Sequence, residues 1–223
     1  MEEKEKMVQE VFKNISNKYD FFDSLMSFGM DRGWRRRVVD LLDLQDGLNI
    51  LDAGAGSGKV SEEIISRGKN LHIEALDITR EMFPGNLKGV HFNLASADSM
   101  PFENNSFDRA VSCFLTRNVP DLDRYLSEVF RVTKKGAIFC NMDIFDPGHG
   151  FIAPVFRVYF YRVVPTLLDR ASGTGSYSYL ARSVKNFVSP ETFHKKMMEA
   201  GFRDVHTFRL AGGTVYIHRG IKE

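Results

Sequence analysis

The residues best placed to do chemistry form one stretch, Asp52-Ala53-Gly54-Ala55-Gly56-Ser57-Gly58, directly after the apolar run Asn49-Ile50-Leu51. An acid is followed by three glycines alternating with small residues, and a helix-like segment over 59–67 begins at once. The spacing predicts a strand, a tight loop and a helix start. Glycine permits positive φ and lets a ligand reach the backbone with no Cβ in the way. N–H groups of the helix start can face an anionic or polar ligand, and open α/β sheets bind ligands at the carboxyl ends of their strands. A second acid, Asp77, followed by Ile78, ends the next apolar run, at the roughly twenty-residue spacing where nucleoside-binding folds place a carboxylate on a ribose diol. The alternative for Asp77 is a plain N-cap for a helix at 79–82.

The dinucleotide fingerprint G-x-G-x-x-G needs its third small residue at position 59. That position is Lys59, Gly58 comes one residue early, and Asp52 at the strand end is foreign to the pattern. Both features disfavour a nicotinamide oxidoreductase. The arrangement acid-Gly-x-Gly-x-Gly resembles motif I of S-adenosylmethionine-dependent methyltransferases. The ligand there carries an ammonium and a carboxylate, which suits an acid beside exposed backbone N–H groups.

The elements that must position these groups follow from patterning. The chain has 223 residues, 43% of them hydrophobic and 26% charged, which suits one α/β domain with a packed core. Its formal net charge of +1 gives no electrostatic case for a nucleic-acid partner. The charged start has no signal-peptide core and no apolar run reaches membrane-spanning length. Cys113 and Cys140 each sit in an apolar run, as small hydrophobes in a reducing compartment would. The expected localisation is therefore cytoplasmic.

Taken in order, residues 1–18 read as a helix with Val8, Val11, Phe12 and Ile15 on one face. An aromatic segment, 19–30, either packs on the domain or lies over a ligand. A helix at 34–42 carries Arg35-Arg36-Arg37, a run that reads as a solvated face. Strands are expected at 49–52, 71–76, 90–94, 107–114 and 137–142, with a helix at 122–131 ended by Gly136. Residues 144–187 break the alternation: an aromatic amphipathic helix at 154–168, a Ser/Gly/Thr-rich mobile connection at 172–178, and a segment at 177–187 that closes over the site. The 154–168 helix suits a membrane surface, a buried cap or a dimer contact. A helix at 190–200 and a hairpin around Gly212-Gly213 end the chain. Alternation predicts a parallel sheet with helices on both faces, and the hairpin adds one antiparallel strand.

Several separated segments now agree. Val11-Phe12 with Lys18-Tyr19-Asp20, Ser27-Phe28-Gly29-Met30 with Trp34-Arg35-Arg36, the glycine loop, and the run from Met100 to Asp108 all fit one family. So do Phe114-Leu115-Thr116-Arg117-Asn118-Val119, Tyr177 through Ser183, Met197 through Phe202 and His218-Arg219-Gly220. The chain resembles the ubiquinone/menaquinone biosynthesis C-methyltransferase family over nearly its whole length. The resemblance implies a Rossmann-like class I methyltransferase fold, with a seven-stranded, mostly parallel sheet. It implies a single domain over 1–223 with an N-terminal helical lid (1–45) and a substrate-cap insertion (144–187). It also implies S-adenosyl-L-methionine as donor, S-adenosyl-L-homocysteine as product and a polyprenylated quinol, a demethylmenaquinol or related benzoquinol, as acceptor. Peripheral membrane contact and a homodimer are further expectations; no metal is expected.

By position, the family's donor contacts fall on Ser57, Asp77, Ser96, Ala97 and Cys113, beside Asp52, Gly54, Gly56, Gly58 and Ile78 of the motifs. The family more often has threonine at 57, asparagine or aspartate at 96 and serine at 113. Ser57 keeps a hydroxyl, Asp98 is the candidate to replace Ser96 as acceptor for the adenine amine, and Cys113 is a poor hydrogen-bond partner.

A quinol carbon attacks the sulfonium methyl only once a neighbouring hydroxyl loses its proton, so a base or a cation is needed. Arg117 is the candidate cation, the alternative being a salt bridge to Asp121. Asn118 would orient a water or a quinone oxygen, and Tyr19 and Tyr177 would line the pocket. His149 is the conventional base, or an exposed turn residue. The other readings are a methyltransferase for a different lipid or small molecule, and a non-catalytic donor-binding protein.

Overall fold

The computed structural model describes residues 2–16 and 19–223; the side chains of Glu2, Tyr19, Phe22, Asp23 and Leu25 lie outside the described set. Three helices precede the sheet, α1 (Glu2–Ile15), α2 (Tyr19–Met26) and α3 (Asp31–Asp40). There follow β1 (Asn49–Ala53), α4 (Lys59–Ile65), β2 (His72–Asp77), β3 (Val90–Leu94), β4 (Phe107–Cys113), α5 (Leu122–Val132) and β5 (Thr133–Ile144). The insertion holds α6 (Ala153–Val158), a π-helical turn (Tyr159–Val163), α7 (Val164–Ser172) and α8 (Ser176–Lys185). Last come α9 (Pro190–Glu199), β6 (Phe202–Leu210) and β7 (Val215–Lys222).

The seven strands form one sheet in the order β3-β2-β1-β4-β5-β7-β6. The first five pair in parallel, and β7 runs antiparallel between β5 and β6. The chain steps outward from β1 to β2 and β3, then crosses back to β4 on the other side of β1, so the connections diverge at the β1 and β4 tips and open a crevice there. Strand alternation builds a core on each face. Leu51, Ala53, Phe139 and Phe202 meet α5 and α9 on one side; Ile50, Val111, Cys140 and Ile217 meet α3 and α4 on the other. A third, smaller core lies away from the sheet, where Val8 and Ile15 of α1 pack on Val164, Leu168, Tyr177 and Leu180 of α7 and α8.

Three local expectations change. Gly136 does not cap α5: Thr133 ends the helix, its Oγ1 donating to the carbonyls of Val129 and Phe130. Gly136, at φ +80°, instead lies where the β4–β5 register shifts. The aromatic helix runs from 153 to 172 but widens into the π-turn just before Pro165. A proline inside a helix removes one N–H and crowds the carbonyl four residues back. The expected mobile connection at 172–178 is tied down by Asp169, whose carboxylate accepts from the N–H groups of Tyr177 and Ser178 and from Ser178 Oγ. Among the described residues, no helix is long and apolar enough to cross a membrane.

Asp52, near the end of β1, is 1% exposed, and its carboxylate accepts from Ser61 Oγ of α4 at 2.7 Å. Burial pushes its pKa up to about 6, against the partial relief of the Ser61 bonds. The folded chain therefore holds this proton more tightly than the unfolded chain. That contribution is complete below pH ~4, the ordinary aspartate pKa, and is lost as pH rises through about 6. Asp52→Asn keeps the acceptor for Ser61 without the charge. We expect it to raise urea stability at pH 7.5 by up to about 3 kcal/mol, with the gain shrinking toward zero at pH 4. Equal midpoint shifts at both pH values would show that the buried charge is not the cause.

Candidate functional site

A cleft of about 890 Å³, open mouth included, crosses the tips of β1, β2, β3 and β4. Gly54, Gly56 and Ser57 form one end, Asp77 and Ile78 the middle, Ser96 and Ala97 the far end, and Cys113 and Asn118 the β4 side. Asp52, Gly58 and Asp98 do not line it. Asp52 lies beneath the loop, and Gly58, at φ +75°, is the N-cap of α4. Asp98 is 5% exposed, behind Ser96.

The loop's conformation requires glycine at Gly54. Its φ is +73°, and a Cβ there would sit 2.8 Å from Leu115 side-chain atoms. The loop does not, however, offer a row of free N–H groups. Those of Gly54 and Ala55 donate to the Leu76 carbonyl at 2.7 and 3.0 Å, and that of Gly58 donates to the Ala55 carbonyl at 2.9 Å. Gly56 N–H donates to Asp77 Oδ2 at 3.0 Å, while Asp77 Oδ1 accepts from Thr79 N–H at 2.8 Å. Asp77 is thus more than a cap for the next turn. Burial raises its pKa against the pull of these N–H groups. The Ser57 hydroxyl is taken by Asp20 of α2, at 2.6 Å.

Two lining residues are not among the candidate site residues read from the sequence. Arg35, expected on a solvated face, is only 12% exposed at its side chain. It pairs with Asp31 of its own helix, and its guanidinium carbon lies 6.0 Å from the Phe114 ring centroid. Glu5 reaches in from α1, where its carboxylate accepts from Ser96 Oγ at 2.5 Å. The charges therefore separate along the cleft: Arg35 and Lys59 by the β1 loop, then Asp77, then Glu5 at the β3 tip. A ligand with a carboxylate at one end, a diol in the middle and an amine at the other meets a complementary group at each position. Cys113, pushed well up by burial and by the charge of Asp52, is a neutral thiol on the wall.

The segment after β4 separates this cleft from a second one. Asn118 faces the first; its Nδ2 donates to the Phe114 carbonyl at 3.3 Å, and its buried Oδ1 has no partner among the described residues. Arg117 faces the second, with Lys4, Met7, Tyr179, Arg182 and Phe187, and Val119 and Pro120 belong to both. Asp121 is not the partner of Arg117. It caps α5, accepting from the N–H groups of Asp123 and Arg124. Arg117 instead forms a buried ion pair with Asp143 of β5, and its Nη1 also donates to the Phe114 carbonyl. Asp143 further accepts from Thr116 Oγ1 and from the Arg117 and Ile144 N–H groups. Tyr177 is 1% exposed inside the third core and lines neither cleft; Tyr179, two residues on, lines the second. His149 is exposed in a turn outside both clefts. Tyr19 opens α2, but its side chain lies outside the described residues. No cluster of three or more potential metal ligands occurs among the described residues.

Comparison with known proteins agrees with this geometry. The family model described as the ubiE/COQ5 methyltransferase family matches residues 1–222. The ubiquinone/menaquinone biosynthesis C-methyltransferase UbiE of Rickettsia bellii (strain RML369-C) is 33% identical over 234 residues, covering 99% of this chain and 94% of that protein. Among solved structures, an S-adenosylmethionine-dependent methyltransferase of Thermotoga maritima superposes with a TM-score of 0.68 at 19% identity, over 96% of this chain and 99% of that one. A phosphoethanolamine N-methyltransferase of Haemonchus contortus, solved with S-adenosyl-L-methionine, gives a TM-score of 0.64 at 15% identity over 85% of this chain and 52% of that one. These two likenesses bear on the fold. The family match spans the whole chain, and with the cleft just described it identifies the protein as a member of the ubiE/COQ5 methyltransferase family, an enzyme that uses S-adenosylmethionine.

Proposed function

We propose that this enzyme methylates a ring carbon of a polyprenylated quinol, a demethylmenaquinol or a related benzoquinol. The observation that carries the reading is the pair of clefts divided by the segment from Thr116 to Pro120. The first suits the donor: its carboxylate toward Arg35, its ribose on Asp77, its adenine against Ser96 and Ala97. Asp52 acts on the ammonium only across the loop. The second is walled by apolar and aromatic side chains with cations at its rim, and suits a phenolic ring. The name of the Rickettsia relative points to the same substrate class.

The chemistry is a displacement. The quinol hydroxyl gives up its proton to water, the phenolate pushes electron density onto the adjacent carbon, and that carbon attacks the sulfonium methyl. The carbon–sulfur bond breaks to leave the neutral thioether of S-adenosylhomocysteine, and the ring then loses its C–H proton to restore aromaticity. That proton also passes to water, which reprotonates the ring oxygen, so one proton is released per turnover. The protein's task is alignment. Asn118 lines the donor cleft, and its buried Oδ1 is an acceptor on the segment between donor and ring, fit to hold a water there. Arg117 is permanently protonated, but Asp143 offsets its charge. Its contribution is then a fixed hydrogen-bond donor toward the phenolate oxygen more than a free cation.

Arg117→Ala would strand Asp143 as an unpaired buried charge, a loss of about 3–5 kcal/mol. Arg117→Lys keeps the charge and removes the planar fork. We expect it to lower turnover about tenfold or more while S-adenosylhomocysteine affinity stays within about twofold. Unchanged turnover would remove Arg117 from the mechanism.

The acceptor's tail places it in a bilayer, and the insertion presents an apolar face. Phe151, Val155 and Val158, at helical spacing, are 104%, 69% and 54% exposed, with Arg162 exposed beside them. Phe156 and Phe160, by contrast, stack on each other at 5.0 Å, with Phe160 buried in the domain. A basic rim around an apolar face fits an anionic lipid surface. Co-sedimentation with anionic vesicles should fall when Phe151, Val155 and Val158 are changed together to serine. Co-sedimentation that does not change would exclude this face.

A further inference from the structure

The β3 end of the donor cleft holds more hydrogen-bond acceptors than donors. Ser96 Oγ lies 2.5 Å from Glu5 Oε1 and 2.8 Å from Asp98 Oδ1. A hydroxyl has one proton, and an ionised carboxylate can only accept. Ser96 can therefore satisfy one of these carboxylates but not both. Asp98 is buried behind it, whereas Glu5 stands on the cleft wall with Val8 and Phe12.

Glu5 belongs to α1, ninety-one residues from Ser96, and that helix is fastened across the strand tips. Lys4 Nζ donates to the Val119 carbonyl past β4, and Gln9 Nε2 donates to the Ile78 carbonyl past β2, both at 2.5 Å. Lys13 lies 3.4 Å from Glu81. The third core holds the same face of the helix through Val8 and Ile15. The Glu5 carboxylate is thus held at a fixed place on the wall.

We propose that Glu5 accepts a hydrogen bond from the exocyclic amine of the donor's adenine, with Asp98 holding Ser96 from behind. This rests on the donor reading of the first cleft and adds to it a specificity residue from outside the sheet. An amine brings two N–H groups to a place short of donors. A 6-oxo purine brings a carbonyl instead, and its lone pairs would face a carboxylate. The helix that covers the cleft would thereby read the base, and donor binding would favour its closed position.

The test is calorimetric titration of the full chain with S-adenosylhomocysteine and with its 6-oxo analogue, S-inosylhomocysteine. Wild type should prefer the adenine ligand by about tenfold or more. Glu5→Ala should bring the preference close to one. Glu5→Gln, nearly isosteric, can turn its amide to donate, so affinity for the 6-oxo ligand should rise. A merely structural role for Glu5 would shift both ligands together. An adenine preference retained in both variants would overturn the proposal alone. If wild type bound neither ligand, the donor site would fail and the proposal with it.

Discussion

One carboxylate holds the donor cleft in shape. Asp77 accepts from Gly56 N–H with one oxygen and from Thr79 N–H with the other, so it pins the loop after β1 to the turn after β2. Without it, two neighbouring strand tips would each carry an unsatisfied N–H beside a crevice. A carboxylate has about four lone-pair sites. The bonds from Gly56 and Thr79 hold its oxygens on the cleft wall, where the diol of a ribose would meet them. Burial raises the pKa of Asp77, and the backbone N–H groups oppose this. The fold thus keeps an acceptor oriented before any ligand arrives, so less ordering remains to be done on binding.

The rest of the site is arranged around that fixed point. Arg35 is aimed by Asp31 one turn earlier on α3, and Arg117 by Asp143 on β5. Each cation is held by an acid that also offsets its charge, so what it offers a ligand is direction more than net attraction. Helix α1 is held differently. It meets the sheet layer through polar tethers to loop carbonyls, and its apolar face belongs to a small core shared with α7 and α8. Contacts of that kind are among the first to open in a folded domain.

Much of this was legible in the chain. The alternation of Ile50, Leu51 and Ala53 with the glycines after them specifies a strand and a positive-φ loop by local rules alone, and Asp77 follows by spacing. What could not be read depends on tertiary contact. Asp143 lies twenty-six residues past Arg117, across the sheet from β4, and no local pattern joins them, so the nearer Asp121 looked the better partner. Glu5 and Arg35 sit in charged runs that look solvated until another element covers them. Gly136 resembles a helix stop because the bulge that uses it is visible only once β4 and β5 are paired. The inward and outward faces of the 154–168 helix could not be told apart for a related reason. Helical periodicity shows that Phe156 and Phe160 share a face with each other, but only the packing of α8 decides that this face turns inward.

The most direct test of the donor site is a crystal structure of the chain with S-adenosylhomocysteine bound. The account predicts the homocysteine carboxylate near Arg35, both ribose hydroxyls on the Asp77 carboxylate and the adenine edge against Ser96, with Gly56 N–H still donating to Asp77. A ligand lying elsewhere, or one that occupies the cleft while its ribose leaves Asp77 untouched, would contradict it.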